Sequence, residues 1–492
     1  MGHGRAKQQC RAMAHMMRYP LLLGGLFLAA SCTLAPVPDR GMLNNRFPER
    51  FQAWEDPRGA VKGEKGDEIR VEMRDKPGAT WSDSFPDAAL QADARSMGLH
   101  NYAVAAARSR VAQAAAAFGV QRSALFPSVD ATTDVERRRI REEGSTSTDT
   151  LIAFGQALNW ELDIWGRLQS RKEAAGLTLS EQSALADQTL LDLQTLLVET
   201  WLAYHTAVRL ETVINRQQET NTRFLELTEL RFAQGQGSAL DVLQQRGRLK
   251  ATQRELPGVV SRQQQAANAY AVLLGQMPGR AALPRADWPR LGPLVDLPAP
   301  DTLMMRRPDL RAAFLALLAA DHEVAAAIAD RLPRLSIGLG LSVSGDSLSN
   351  IGDAFDLGAT AGLLAPVFDA GRRKAVVLDR QAQVSEALSD LEQAMHVAVQ
   401  EVEDGLVAEK ALFRELGLLD QEISHAGQTV AEARQSYVNG QGSYLNVLDA
   451  LETYQTLLQE QVSLERDAAL NRAGLLKALG ASWGSGKRSE NK

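Results

Sequence analysis

The sequence predicts a mainly α-helical, internally duplicated fold in which each half carries a β-hairpin followed by a long helical hairpin. Three observations predict it. The stretch FAQGQGSALDVL, starting at Phe232, returns as YVNGQGSYLNVL, starting at Tyr437, at an offset of 205 residues. From Leu177 to Gln234 there is neither Gly nor Pro, so a single helix there exceeds ~80 Å at about 1.5 Å per residue. In each half, a stretch of period-two alternation precedes the helical tract.

Composition agrees and excludes some functions. The 492 residues include only 38 Gly, 18 Pro and 5% aromatics, which suits long helices. A formal net charge of −6 and no basic stripe argue against nucleic acid as a partner. Both cysteines, Cys10 and Cys32, lie near the start, so the rest of the chain has no thiol for a disulfide or a metal.

Residues 1–31 read as a signal peptide: Arg11 and Arg18 precede an apolar run, Tyr19 to Ala30, too short to span a bilayer. The run ends in Leu28-Ala29-Ala30-Ser31-Cys32, which resembles a lipoprotein cleavage box and makes Cys32 the lipidation site. Cleavage by an ordinary signal peptidase near Ser31 is the alternative, and Met13, Met16 or Met17 is an alternative start. Residues 32–86 form a Pro-, Gly- and charge-rich leader, extended or partly disordered, whose end is pinned to the body by Trp81, Phe85 and Leu90. No later segment offers an uncharged apolar run long enough for a transmembrane helix.

The first repeat is expected over 87–300. An Ala-rich helix runs to Phe126-Pro127, a β-hairpin occupies about 128–164, and a helical hairpin about 167–274. Val129, Ala131, Thr133 and Val135 alternate with Asp130, Thr132, Asp134 and Glu136; a polar loop, Glu142 to Asp149, follows, and then Ile152, Phe154, Leu158, Trp160 and Leu162 take up the alternation. Leu190, Leu193, Leu197, Trp201, Tyr204 and Val208 make a helical seam. The second repeat, 301–481, has its β-hairpin at about 334–368 and its helical hairpin at about 371–479, followed by a polar tail at 482–492. Gly235 and Gly237, and again Gly440 and Gly442, are glycines able to take positive φ ahead of a Ser in N-cap position, which makes them the helical-hairpin tips.

Strands of about 9 to 11 residues suit an outer-membrane crossing, but four strands cannot close a barrel. Open edges in lipid strand polar backbone groups, so several chains must pool their strands; three chains leave room for the Ser-, Gly- and acid-lined interior. The charged long helices then project into the periplasm, and the object as a whole is a conduit. A surface hairpin on a soluble sheet, in a periplasmic coiled-coil adaptor or scaffold, is the competing architecture.

The cysteine box followed by CTLAP, WSDSFPDAAL, ALFPSVD with its counterpart RLPRLSI, RRPDL at Arg306 to Leu310, and the paired glycine turns resemble the TolC-like outer-membrane efflux channels, in particular the NodT/OprM-type lipoprotein branch. The resemblance runs from Cys32 to about Gly480. It implies a homotrimer with a shared twelve-stranded β-barrel and a twelve-helix α-barrel. The implied partners are a periplasmic adaptor (membrane fusion) protein, an inner-membrane resistance-nodulation-division pump and outer-membrane lipid; service to type I protein secretion is the alternative within the family. It also implies a gate at the periplasmic end: Tyr437 matches the gate tyrosine, Leu445 a leucine that narrows the mouth and Asp449 an aspartate ring, whereas Gly442 and Asn446 stand where TolC has an arginine and a second aspartate. The first turn is expected to dock the adaptor and the second to gate.

No enzyme chemistry is expected. The histidines are scattered, and Asp321-His322-Glu323 reads as a solvated helix face. Gly484 to Lys487 lacks the upstream Gly and the following Ser or Thr of a phosphate loop, and there is no nucleophile elbow or zinc motif. No cofactor is expected.

Overall fold

The computed structural model describes residues 47–48, 50–53, 81–142, 144–279, 283, 287–289, 291 and 297–481. The expected signal peptide at 1–31, Cys32, most of the leader and the tail at 482–492 lie outside the described residues.

The element order is laid down twice. Helices α1 (Ala88–His100) and α2 (Tyr102–Ser123) lead into strands β1 (Ser128–Glu142) and β2 (Ser145–Leu162), then the helical hairpin α3 (Arg167–Ala233) and α4 (Ala239–Leu273). The second half repeats this as α5 (Pro308–Ala329), β3 (Arg334–Gly345), β4 (Ala354–Leu364), α6 (Arg372–Val438) and α7 (Tyr444–Ala478). Counterparts match in length: α3 and α6 have 67 residues each, α4 and α7 have 35, and α2 and α5 have 22. A helix of 67 residues is about 100 Å long. Asp163 starts α3 by accepting hydrogen bonds from the Leu168 and Gln169 amides, and Asp369 does the same for α6 through Gly371 and Arg373.

The four strands form one antiparallel sheet in the order β1-β2-β3-β4, which leaves β1 and β4 as open edges. Its register stacks the apolar positions of both hairpins on one face. Val129 lies opposite Leu158, Leu158 opposite Leu339 and Leu339 opposite Ala359; Thr133, Phe154, Val343 and Phe355 form a parallel row. The other face carries Asp130, Thr132, Gly340, Ser342 and Asp356. The apolar face has no core beneath it: Val129 is 66% exposed, Phe355 67% and Leu363 71%. A soluble sheet would have that side covered, within the chain or by a partner.

The first hairpin is longer than expected. The polar loop expected at Glu142 to Asp149 is mostly strand, because the hydroxyl and β-branched residues from Ser145 to Thr150 suit extended backbone and pair residue by residue with Arg137 to Glu142.

Helix α5 is apolar for its length, but Asp321 and Glu323 interrupt it, so it is not an uncharged run of membrane length; it packs against α3 and α6, with Leu310, Phe314 and Leu317 buried beside Leu391, Met395 and Val402. Two further expectations are corrected. Asp321 in that helix is buried rather than solvated, and burial raises its pKa against the opposing charge of His322. Part of the leader is ordered: Phe47 and Phe51 bury themselves beside Leu303 and Leu310, while the amides of Gln52 and Ala53 donate to the Glu403 carboxylate at 2.5 and 2.7 Å. Trp81, Phe85 and Leu90 pin the end of the leader as expected, and the Trp81 indole donates to the Ala481 carbonyl at 2.9 Å.

The RRPDL segment is a buried anchor. Arg307 donates to Asp309, to Glu401 at 2.6 Å and to the Ala478 carbonyl, joining the start of α5 to α6 and to the end of α7. Burial alone would raise the Asp309 pKa; the Arg307 guanidinium and the Leu310 amide hold it below the usual carboxylate range.

Candidate functional site: the paired helical tips

Both helical hairpins turn by the same backbone device. Gly235 and Gly440 are left-handed, at φ 69° and 72°, where any side chain would be strained. The Gln236 amide then donates to the Arg231 carbonyl at 2.8 Å, and Gln441 to Ser436 at 2.9 Å, closing the carbonyl ends of α3 and α6. Gly237 and Gly442 are not left-handed; they are needed for space. A Cβ on Gly237 would stand 3.2 Å from the Phe232 nitrogen, and one on Gly442 3.2 Å from the Ser436 Cβ.

From there the copies differ. Ser238 caps α4 with a full capping box: its hydroxyl accepts from the Leu240 amide at 3.0 Å, and Asp241 accepts from the Ser238 amide at 3.3 Å. Ser443 occupies the same position before α7 without a side-chain cap, and Asn446 replaces the carboxylate of Asp241.

The second tip is held from outside instead. Tyr437 is 4% exposed, and the Arg231 guanidinium of the first repeat lies 4.3 Å from its ring centre. The same guanidinium donates to the Tyr437 carbonyl at 2.7 Å and to Val438 at 3.3 Å, covering carbonyls at the end of α6. The ring of Tyr444 is 5.7 Å from that of Tyr437, and its hydroxyl donates to Gln245 of α4. Phe224, Val447 and Leu451 complete this small core. Tyr437 keeps one unsatisfied group, its buried hydroxyl, and burial raises its pKa.

Leu445 on α7 is 61% exposed. Asp449, one turn further on, is exposed and lines a groove of about 430 Å³ between α6 and α7, together with Glu432, Ser436, Gly442 and Asn446. Above the tips a polar layer ties the hairpins together: Asn221 donates to Thr252, Gln245 to the Asn221 carbonyl, and Gln217 to the Gln455 carbonyl.

The structure thus brings Tyr437 and the four tip glycines to one end of the molecule, and sets Leu445 and Asp449 on the exposed flank of the second tip. Sequence reasoning missed Arg231, Tyr444 and Gln245. One signal was available: Tyr444 stands where the first copy has Ala239.

The outer membrane efflux protein family model matches residues 96–276 and 299–481, one match in each half. The chain is 32% identical to the pyoverdine export outer membrane protein OpmQ of Pseudomonas putida over 402 residues, covering 78% of this chain and 83% of the relative. It is 29% identical to the outer membrane protein OprJ of Pseudomonas aeruginosa over 76% of this chain and 80% of OprJ. The probable outer membrane lipoprotein SilC of Salmonella typhimurium is 26% identical over 76% of this chain and 82% of SilC. Among solved structures, the outer-membrane channel OprN superposes with a TM-score of 0.82 at 24% identity, covering 92% of this chain and all of that one. CusC gives 0.81 at 22% identity, over 91% of this chain and 99% of that one. With its bare apolar sheet face, duplicated hairpins and a match in each half, this chain belongs to the outer membrane efflux protein family, the TolC-like channels, and is an efflux channel of the Gram-negative outer membrane.

Proposed function

We propose that three copies pool their four-stranded sheets into one twelve-stranded barrel, with the long helices continuing it as a periplasmic duct closed at the tips. The observation that carries this is the apolar ladder on an open-edged sheet. Each exposed edge in hydrocarbon costs several kcal/mol per unpaired group, and joining β4 of one copy to β1 of the next removes every edge. The tips lie farthest from the membrane, where an inner-membrane resistance-nodulation-division pump and its periplasmic adaptor would engage them. Cys32 is the acylated anchor, by analogy with the lipoprotein named among the relatives.

Conduction is passive and driven from the pump. The names of relatives range from pyoverdine export to toluene and cation efflux, which supports a duct without its own selective pocket, carrying small molecules chosen elsewhere. In the gate, Tyr437 holds the second tip inward, Leu445 narrows the mouth, and Asp449 repeated by symmetry forms a ring that attracts cations. In planar bilayers the purified protein should show a low resting conductance that rises in Leu445→Ala and in Asp449→Ala. Unchanged conductance in both would remove these residues from the gate, and a protein monomeric and soluble without detergent would overturn the channel itself.

A further inference from the structure

We propose that the outward face of the β1–β2 hairpin binds the phosphate groups of the glycolipid in the outer leaflet, through Arg137, Arg139 and Arg141. The register places them. Alternation puts these three residues on the same face of β1 as Val129, Ala131 and Val135, the face turned to lipid. Their partners on β2 are Thr150, Thr148 and Thr146, so this face of the ribbon carries three positive charges and no carboxylate. Glu136, Arg138 and Asp149 fall on the opposite face, where Arg138 and Asp149 stand across from each other. All three arginines are exposed, and none has a carboxylate partner among the described residues. In the loop between β3 and β4, Asp346 accepts from Ser347 and Asn350.

Position gives the ligand. β2 pairs with β3 only up to Ile152 opposite Gly345, so the arginines stand on a two-stranded ribbon beyond the rest of the sheet. That ribbon is at the end of the strands remote from the helices, which makes it the outer-leaflet side once the helices occupy the periplasm. From Arg137 to Arg141 the strand advances about 13 Å, enough at barrel tilt to span one headgroup layer directly above the apolar band. Guanidinium groups bind phosphate with paired hydrogen bonds, and the intervening threonines have no competing charge. An outer leaflet of bisphosphorylated lipid A supplies that chemistry at that depth.

The test is lipid A binding to the full-length protein in nanodiscs, read by native mass spectrometry and titration. Wild type should retain lipid A and bind its dephosphorylated form far more weakly. The triple variant R137Q/R139Q/R141Q should lose on the order of 100-fold in affinity, at roughly fivefold per arginine. Arg138→Gln, on the opposite face, should stay within about twofold of wild type. Equal lipid A binding by the triple variant would overturn the proposal. So would a wild-type protein that fails to distinguish the phosphorylated from the dephosphorylated lipid, a comparison that does not depend on any variant folding. Loss of the oligomer in the triple variant without lipid A would instead assign the arginines to pairing between subunits, and would also overturn it.

Discussion

The two tips share a backbone and differ in what holds it. In the first, Ser238 and Asp241 satisfy the amides of α4 from within the turn, so the tip is complete on its own. In the second, the equivalent carboxylate is absent, and the turn is held instead by Arg231 on the carbonyls that end α6 and by the Tyr444–Gln245 bond, both of them contacts between the repeats. A self-capped turn can carry a load without changing shape. One held by its neighbour has two states available, held and released. Duplication supplied the geometry twice, and substitution at Asp241/Asn446 and Ala239/Tyr444 made one copy dependent on the other.

The largest effect is expected from Arg231→Ala. It removes a cation–π contact and two bonds to helix-end carbonyls, costing about 2 kcal/mol, and should raise resting conductance several-fold while the first tip keeps its protection in amide hydrogen exchange. Equal loss of protection at both tips would break the distinction.

The second expected effect depends on pH and belongs to the first repeat alone. His205 is 4% exposed, its ring tilted against that of Trp201 at 4.4 Å, with Nε2 unpartnered; its counterpart in the second repeat is Lys410. Burial holds its pKa below the ordinary 6.5 against the opposing pull of Asp87. The unfolded chain therefore takes up a proton before the folded one, and the contribution of His205 to stability is full above that value and lost as pH falls through it. Thermal midpoints should drop between about pH 7 and pH 5, and His205→Gln should flatten part of that slope. An unchanged slope would show that the protonation of His205 is not opposed by the fold.

The smallest effect sharpens the comparison most. Asp241→Ala should cost about 1 kcal/mol and Asn446→Ala less than about 0.5, while Asn446→Asp installs the missing box and should stabilise the second tip by about 0.5. If Asn446→Asp also lowers the frequency of channel opening, capping and gating are coupled at that turn.

Much of this was legible in the sequence, and the limits have physical causes. The duplication, both hairpins and the turns follow from periodicity and from residues with special backbone demands, such as Gly235 and Gly440. Alternation also gave the apolar face of each hairpin. Contacts across about 200 residues leave no local trace: nothing near Arg231 names Tyr437, and nothing near Phe47 names Leu303. The loop expected at Glu142 to Asp149 failed because polarity was taken for irregularity, when the hydroxyl side chains there favour a solvated strand. Asp321 failed likewise, since an Ala-rich helix gives no sign of which neighbour will cover it.

The matched helix lengths act as a ruler. Arg231 reaches Tyr437 only because α3 and α6 count the same 67 residues from the membrane end. One residue inserted into either helix would advance its tip by about 1.5 Å and swing it by about 100°, carrying the guanidinium off the ring. A change in the length of the helices therefore has to be matched in both repeats and in both arms of each hairpin, so the duct can be lengthened in register only by editing the gene in four places at once.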